Sequence, residues 1–245
     1  MEIGIIGSGE MGACLATKLV KLGHKVSIAN SRGPASLKQI TEDTGAEATT
    51  VEAATKNKKV VIVSIPQKNI TDLDKKLFED LSEDVVVIDT GNYYPTLRDG
   101  SIDALEKTGI DSLWVQQQLG HPVIKVFNSI LATSIKDLGK TKGVDNRVAI
   151  AVSGDDAESK EIVFRLVDEL GFEPFDLGSI DQSWKQQPGS PVYCRDINLQ
   201  ELKQRIEKLG TGGAKKMHEK ILEKRTSDEA IMKADYPAYL ESLQE

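Results

Sequence analysis

Three glycines near the start of the chain have the spacing of a phosphate-binding loop. They are Gly7, Gly9 and Gly12, in the segment Gly7-Ser8-Gly9-Glu10-Met11-Gly12. Glycine permits a tight turn at the first position and close approach of the backbone to a phosphate at the second. At the third it lets a helix pack closely on a strand. Because this spacing is common, the neighbouring segments decide whether it predicts a ligand.

The flanking segments have the order that a dinucleotide-binding βαβ unit requires. Residues 2–6 form an apolar strand candidate, an amphipathic helix begins near Gly9, and a second apolar run covers residues 26–29. The first N–H groups of such a helix have no intrahelical partner and can bind phosphate oxygens. The order favours a dinucleotide site over a purely structural turn. The predicted contacts are Gly7, Ser8, Gly9, Glu10, Met11 and Gly12.

The end of the second strand indicates which dinucleotide is bound. NAD-selective chains usually carry an acid there that bonds the ribose hydroxyls. This chain has Asn30, Ser31 and Arg32 instead. A hydroxyl and a guanidinium fork fit a 2′-phosphate, so Ser31 and Arg32 predict NADP(H). Lys38, one helical turn further on, would add positive charge; the alternative is that Arg32 is an ordinary solvated loop residue.

Apolar runs alternate with helical patterns as far as about residue 175, which predicts an α/β fold. We expect a Rossmann-type doubly wound parallel sheet with a small C-terminal α/β extension and a helical tail. Residues 147–175 have a further β-α-β pattern, which extends the sheet or forms a second lobe, with Pro174 marking an edge strand. The predicted divisions are a Rossmann NADP-binding domain over residues 1–140, an α/β lobe over 141–210 and a polar helical tail over 211–245, with a charged helix after Gly212-Gly213.

Small and polar residues lie at the ends of three predicted strands, over residues 60–64, 85–88 and 123–127. In such sheets ligands bind beyond the carboxyl ends of the strands. Ser64, Ile65 and Pro66 would leave room for a nicotinamide ring, and Asn92 and Asn128 would bond its carboxamide or the adjoining ribose. For each asparagine, ordinary turn chemistry is the alternative.

No acid–base pair is evident at these strand ends, so no catalytic residue is assigned. His24, His121 and His218 lie elsewhere in the predicted fold, and no metal-binding spacing is present. Tyr93 and Tyr94 would shield a bound ring from water. Hydride transfer to a flavin-like ring fits this pattern, because the cofactor carries the chemistry and the protein positions it.

The charge, apolar runs and cysteines of the chain limit the kinds of partner that we expect. The 245 residues carry a net charge of −7 without a Lys/Arg cluster, which argues against a nucleic-acid partner. No apolar run is long enough to cross a bilayer, and Met1 leads directly into the first strand. Cys14 and Cys194 form no disulfide framework. We expect a cytoplasmic protein with a small-molecule redox acceptor and no membrane partner; its oligomeric state, a homodimer included, stays open.

Five motifs in order resemble the NADPH-dependent deazaflavin (coenzyme F420) reductases and the cytoplasmic oxidoreductase domain of the six-transmembrane metalloreductases. They stand at residues 7–12, 30–32, 63–66, 125–128 and 152–156. The resemblance implies an NADP(H) domain that passes hydride to a flavin-like or deazaflavin ring. It also implies that Ser31 and Arg32 hold the 2′-phosphate and that Ser64, Ile65, Pro66 and Asn128 line the nicotinamide pocket. Those reductases end in an apolar segment, whereas here a loop at residues 184–191 precedes a polar tail. In this respect the chain resembles a bacterial side branch of dinucleotide-binding enzymes.

Two other functions fit parts of the pattern. β-Hydroxyacid dehydrogenases and imine reductases have similar glycine loops, but they append a long helical domain where residues 147–175 have a β-α-β pattern. A non-catalytic NADP(H) sensor fits the absence of an acid–base pair. Trp184 and the Gln186-Gln187 pair are candidates for covering the acceptor, and a structural role for Trp184 is the alternative.

Overall fold

Eight strands form one sheet within residues 1–211 and 214–243, the part of the chain that this computed structural model describes. The strands are β1 (Glu2–Ile6), β2 (Lys25–Ala29), β3 (Glu47–Ala48), β4 (Val60–Val63), β5 (Val86–Asp89), β6 (Val123–Lys125), β7 (Ala149–Ser153) and β8 (Glu173–Gly178). Their spatial order is β3-β2-β1-β4-β5-β6-β7-β8. The first six strands are parallel and have the strand order of the Rossmann fold.

Helices cover both faces of the sheet. They are α1 (Glu10–Lys21), α2 (Lys38–Thr44), α3 (Val51–Thr55), α4 (Lys76–Glu79), α5 (Asp103–Thr108), α6 (Asp111–Leu119), α7 (Ala132–Asp137), α8 (Ala157–Glu169), α9 (Leu199–Thr211), α10 (Ala214–Ala234) and α11 (Tyr236–Ser242). Successive strand residues face opposite layers, so Ile5 belongs to the core with Leu15 of α1, and Ile6 to the core with Phe78. This two-sided burial explains the continuous apolar runs.

The last two strands extend the same sheet after a change of direction. β7 runs antiparallel to β6, with Lys125 and Ser153 as the residue pair in register, and β8 then lies parallel to β7 at the edge. The buried Gln186 side chain supplements this join. Its amide nitrogen donates to the Lys125 and Ala151 carbonyls at 3.4 Å each, and its oxygen accepts from the Ser153 hydroxyl at 3.1 Å. Residues 147–175 therefore continue the sheet.

One predicted strand is shorter than its apolar run. The pattern predicts a strand over residues 123–127, but β6 ends at Lys125. Phe127 has φ +63°, in the left-handed region, which turns the chain out of the strand direction.

The charged α10 packs against the rest of the molecule. Arg225 forms a buried ion pair with Asp111 at 3.3 Å and lies over the Tyr93 ring at 5.0 Å. Burial raises the pKa of the Asp111 carboxyl, and the Arg225 guanidinium opposes that rise. Gly212-Gly213, predicted to precede this helix, lies outside the described residues. None of the described helices has the length and apolar character needed to span a membrane.

Candidate active site

The glycine loop joins β1 to α1 at the carboxyl edge of the sheet. Gly7 has φ +118°, and a Cβ there would lie 2.0 Å from the Ser64 carbonyl oxygen. A Cβ at Gly12 would lie 2.1 Å from the Gly7 oxygen, so both positions require glycine for packing. At Gly9 a Cβ would meet nothing within 4 Å. Gly9 caps α1 without a side-chain hydrogen bond, which leaves the start of that helix available to an anion.

A cavity of about 620 Å³ lies on one side of this loop. Of the predicted site residues, it is lined by Gly7, Ser8, Gly9, Ser31, Arg32, Ser64, Ile65 and Pro66. Glu52, Asp72 and Asp74 also contribute to the wall, so among the described residues Arg32 supplies its only positive side chain. An anion bound in this cavity would therefore depend on Arg32 and on the start of α1.

Asn30 shapes the turn that carries Arg32. Its amide nitrogen donates to the Ser8 and Ser36 hydroxyls at 3.1 and 3.0 Å, and its oxygen accepts from the Arg32 backbone N–H at 2.9 Å. Ser31 and Arg32 are exposed. The guanidinium has no hydrogen-bond partner within the described part of the protein, whereas Lys38 begins α2 and does not line the cavity.

A second cavity, of about 330 Å³, lies on the other side of the loop. The predicted residues that line it are Gly9, Glu10, Met11, Ser64, Ile65, Pro66, Asn92 and Asn128. Gly9 and residues 64–66 belong to both cavities, which are therefore adjacent on the two sides of the glycine loop. Among the predicted contacts, Gly12 alone lines neither cavity, because it is buried beneath Gly7.

The two asparagines bond to each other and to protein groups. The Asn92 nitrogen donates to the Asn128 carbonyl at 2.9 Å, and the Asn128 nitrogen donates to the Asn92 side-chain oxygen at 3.1 Å. The Asn128 side chain also donates to the Gln186 carbonyl and accepts from the Gln186 amide, each at 2.8 Å. Asn128 is only 2% exposed. Both amide hydrogens of Asn128 are thus used within the protein and its oxygen accepts one bond, which fixes this part of the cavity wall.

A buried ion pair holds the turn beneath this cavity. The Lys125 ammonium lies 2.9 Å from the Asp89 carboxylate and also donates to the Gly91 carbonyl. Asp89 further accepts from the Ser112 hydroxyl and the Gly91 N–H at 2.8 Å each. Such a fully bonded pair fixes the backbone geometry more reliably than it adds stability.

Two tyrosines meet at the cavity, and sequence reasoning missed one of them. The Tyr94 and Tyr193 hydroxyls hydrogen-bond to each other, and both residues line the cavity. Arg98 lies over the Tyr94 ring at 5.1 Å and donates to the Asp99 carboxylate at 2.9 Å. Phenol hydroxyls can donate hydrogen bonds, so this cavity contains polar groups that the sequence did not indicate, while the absence of an acid–base pair stays a prediction. Tyr193 had no periodic signal; its only sequence mark is its place after a Gly/Pro-rich loop.

Other aromatic and amide groups lie away from the cavity. Tyr93 is fully buried and its hydroxyl donates to Glu106, so its predicted shielding role is wrong. Trp184 stacks on His218 with ring centroids 5.1 Å apart, in a core beside α10. Gln187 donates to the Gly109 carbonyl. Like Gln186, these side chains support the fold and do not cover an acceptor.

Two residues with unfavourable backbone angles also line the second cavity. Phe127 has φ +63° and Cys194 has φ +50°, in the left-handed region that side chains with a Cβ rarely adopt. Strain of this kind often occurs at functional sites. Burial raises the pKa of the Cys194 thiol to about 12, so at neutral pH it is protonated.

Comparisons with known proteins agree with this geometry. Residues 2–93 match the family of coenzyme F420-dependent NADP oxidoreductases, the part that holds the glycine loop, Arg32 and residues 64–66. The chain is 27% identical over 180 residues to the rat metalloreductase STEAP3, covering 73% of this chain and 34% of that protein. Overall it spans 30 to 40% of the length of the curated relatives that it matches.

Solved structures resemble the fold over a longer stretch. A hypothetical protein from Sinorhizobium meliloti is 28% identical with a TM-score of 0.68, covering 81% of this chain and 96% of that one. An Arthrobacter sp. protein, provisionally described as an F420-dependent NADP reductase, has a TM-score of 0.60 at 22% identity, covering 74% and 86%. These likenesses confirm the predicted Rossmann-type fold. Over its first part, the chain therefore resembles the coenzyme F420-dependent NADP oxidoreductases, as its motifs predict.

Proposed function

We propose that this protein is an NADP(H)-dependent oxidoreductase that transfers hydride between nicotinamide and a flavin-like or deazaflavin (coenzyme F420) ring. The observation that carries the proposal is the pair of adjacent cavities on the two sides of the glycine loop, which share Gly9 and residues 64–66 in their walls. One contains Arg32 as its positive side chain, and the other is walled by small, aromatic and amide groups. The family match over residues 2–93 supports the same assignment.

The residues present fit the cofactor. The uncapped start of α1 and the open space at Gly9 suit a pyrophosphate, since a side chain there would occupy its position. Arg32 and Ser31 would bond the 2′-phosphate in the larger cavity. Ser64, Ile65 and Pro66 lie in the walls of both cavities. The nicotinamide half of NADP(H) would extend past them towards Asn92 and Asn128. Bound NADPH would supply the hydride from its nicotinamide ring.

The second cavity suits a planar acceptor beside the nicotinamide. Phe127, Ile130 and Leu131 give it apolar walls, and Tyr94 with Arg98 adds a flat, polar edge. A ring placed between these walls would exclude water from the transferred hydride. Because the chain carries a net charge of −7 and has no basic cluster, a cytoplasmic small-molecule acceptor fits it better than nucleic acid or a membrane.

The tyrosine pair also favours a second candidate, reduction of a small carbonyl or imine. Such substrates need a proton donor near the atom on which negative charge develops, and a phenol hydroxyl can serve. This activity corresponds to the β-hydroxyacid dehydrogenases and imine reductases. A non-catalytic NADP(H) sensor would bind its ligand at the first cavity and would catalyse no reaction in the second.

Titration and turnover separate these functions. Purified protein is titrated with NADPH and NADH, then mixed with NADPH and FMN, FAD, coenzyme F420, or a panel of small carbonyls and imines. Loss of absorbance at the nicotinamide band reports turnover. We expect tighter binding of NADPH and turnover with a ring acceptor. Turnover of carbonyls or imines alone would favour the second candidate, and tight binding without any turnover would favour the sensor.

A further inference from the structure

The hydroxyls of Tyr94 and Tyr193 meet although their residues are 99 positions apart in the chain. Tyr94 follows β5. Tyr193 belongs to the irregular segment between residues 187 and 198, which borders the second cavity. Their rings share an apolar cluster with Leu131 and with Tyr239 of α11. Two separate parts of the fold thus bring two phenols together in the wall of the second cavity.

The hydrogen bonds of the pair leave one proton without a strong acceptor. Two hydroxyls carry two hydrogens, and their mutual contact uses one of them, whichever oxygen is the donor. The Asn92 amide donates to the Tyr193 oxygen at 3.4 Å, so it takes up an acceptor site and no hydrogen. Within the described residues, the pair also faces the Cys194 thiol, whose sulfur accepts weakly, and Tyr239, to which neither hydroxyl is hydrogen-bonded. The second hydrogen is available to a molecule in the cavity.

The surroundings keep both phenols protonated and can stabilise one after it loses its proton. Burial raises the pKa of the Tyr94 and Tyr193 hydroxyls well above the ordinary value, so both are donors at neutral pH. The Arg98 guanidinium over the Tyr94 ring acts in the opposite direction and would attract a transient phenolate. The raised pKa disfavours a free phenolate, so the pair would give up its proton only as the acceptor gains negative charge, and a proton from bulk solvent would restore the phenol.

We propose that the Tyr94–Tyr193 pair donates a hydrogen bond, and then a proton, to a carbonyl oxygen on the acceptor ring. The inference rests on the proposed function and deepens it. The step balances when the acceptor takes one hydride from NADPH, which becomes NADP+, and one proton from the pair; a proton taken up from bulk solvent then restores the phenol. The acceptor class is a planar conjugated ring that bears a carbonyl oxygen, as in a flavin, a deazaflavin or a quinone.

The test compares Tyr94→Phe and Tyr193→Phe with wild type and with Tyr236→Phe, which changes an exposed tyrosine of α11. Thermal unfolding and NADPH titration come first, and we expect all four proteins to agree. FMN, coenzyme F420 and menadione are then titrated into protein saturated with NADP+. We expect the pair variants to bind the accepted probe about threefold to tenfold more weakly, and Tyr236→Phe to match wild type.

Turnover supplies the second measurement. With NADPH and the accepted probe, each pair variant should lose roughly 10- to 100-fold in kcat, because the hydrogen bond strengthens as charge develops. Equal probe affinity and equal kcat in all four proteins, or wild type that binds none of the three probes, would overturn the role of the pair. Failure of wild type to bind NADPH would instead overturn the proposed function, so the two results are distinguishable.

Discussion

The buried carboxylate of Glu229 holds Thr96 through two hydrogen bonds, from its backbone N–H at 2.7 Å and from its hydroxyl at 2.8 Å. The same oxygen accepts from the Leu97 N–H at 2.8 Å. Glu229 belongs to α10, whereas Thr96 lies in the loop that carries Tyr94 and Arg98. α10 therefore fixes one wall of the second cavity.

Replacing Glu229 should loosen that wall. Glu229→Ala leaves the backbone donors of the loop without their acceptor, and we expect the free energy of unfolding to fall by about 1–3 kcal/mol. NADPH affinity should stay close to wild type, because the first cavity is on the other side of the glycine loop. Urea unfolding and NADPH titration measure the two effects. Glu223→Ala, at an exposed position of the same helix, is the matched control; equal stability of both variants would contradict the role of Glu229.

Removing Arg32 should abolish the preference for NADPH. Because Arg32 supplies the only positive side chain that lines its cavity within the described chain, Arg32→Ala should lose about 1.5–3 kcal/mol of NADPH binding. NADH binding should hardly change, since it has no 2′-phosphate. Fluorescence titration with both cofactors measures this. Arg165→Ala removes an exposed arginine of α8 as a control, and equal losses for both cofactors would argue against a 2′-phosphate at Arg32.

A side chain at Gly9 should block both cofactors without unfolding the protein. The Cβ of Gly9→Val enters open space in the unliganded fold, so thermal stability should be retained. The valine would occupy the position expected for the pyrophosphate, and neither NADPH nor NADH should bind. Gly12→Val is the contrasting variant, because its Cβ meets the Gly7 oxygen at 2.1 Å and should destabilise the fold. Normal NADPH affinity in Gly9→Val would leave the glycine motif as a structural turn.

The Cys194 thiol should react slowly in the folded protein. With its pKa raised to about 12 by burial, only about one thiol in ten thousand is ionised at pH 8, and the thiolate is the reactive form. Alkylation by iodoacetamide should therefore be slow and should accelerate about tenfold per pH unit between pH 7 and 9. Peptide mapping by mass spectrometry follows the reaction, with urea-unfolded protein as the reference. Equal rates in folded and unfolded protein would show that the thiol is not protected.

Sequence patterns predicted the sheet well because strands that are buried on both faces appear in the sequence as continuous apolar runs. The positions of β1 to β8, the glycine loop and the turn at Arg32 follow from apolar runs and from glycine spacing. The structure brings together the predicted residues of three strand ends in the second cavity. These features are local in the chain, or follow from the rule that parallel strands end at one edge.

Contacts between distant segments could not be predicted in this way. Asn128 lies at a strand end as expected, but Gln186, 58 positions later, takes up its amide. Tyr93 and Tyr94 are adjacent, and only the turn after β5, held by Asp111, decides which of them reaches the cavity. Tyr193 joins Tyr94 from an irregular segment without periodicity. The sequence predicted a charged helix in a polar tail, but not that Arg225 and Glu229 of α10 would be buried in bonds to Asp111 and Thr96.

The join between β6 and β7 links cavity occupancy to the stability of the last two strands. There, one residue pair is supplemented by the Gln186 side chain, which also holds the Asn128 amide in the cavity wall. A ligand that orders Asn128 would therefore stabilise β7 and β8 without contacting them, because the same glutamine serves both. We expect their backbone amides to exchange hydrogen more slowly when the cavity is filled. Hydrogen exchange in β7 and β8 would thus report whether the second cavity is occupied, although neither strand lines it.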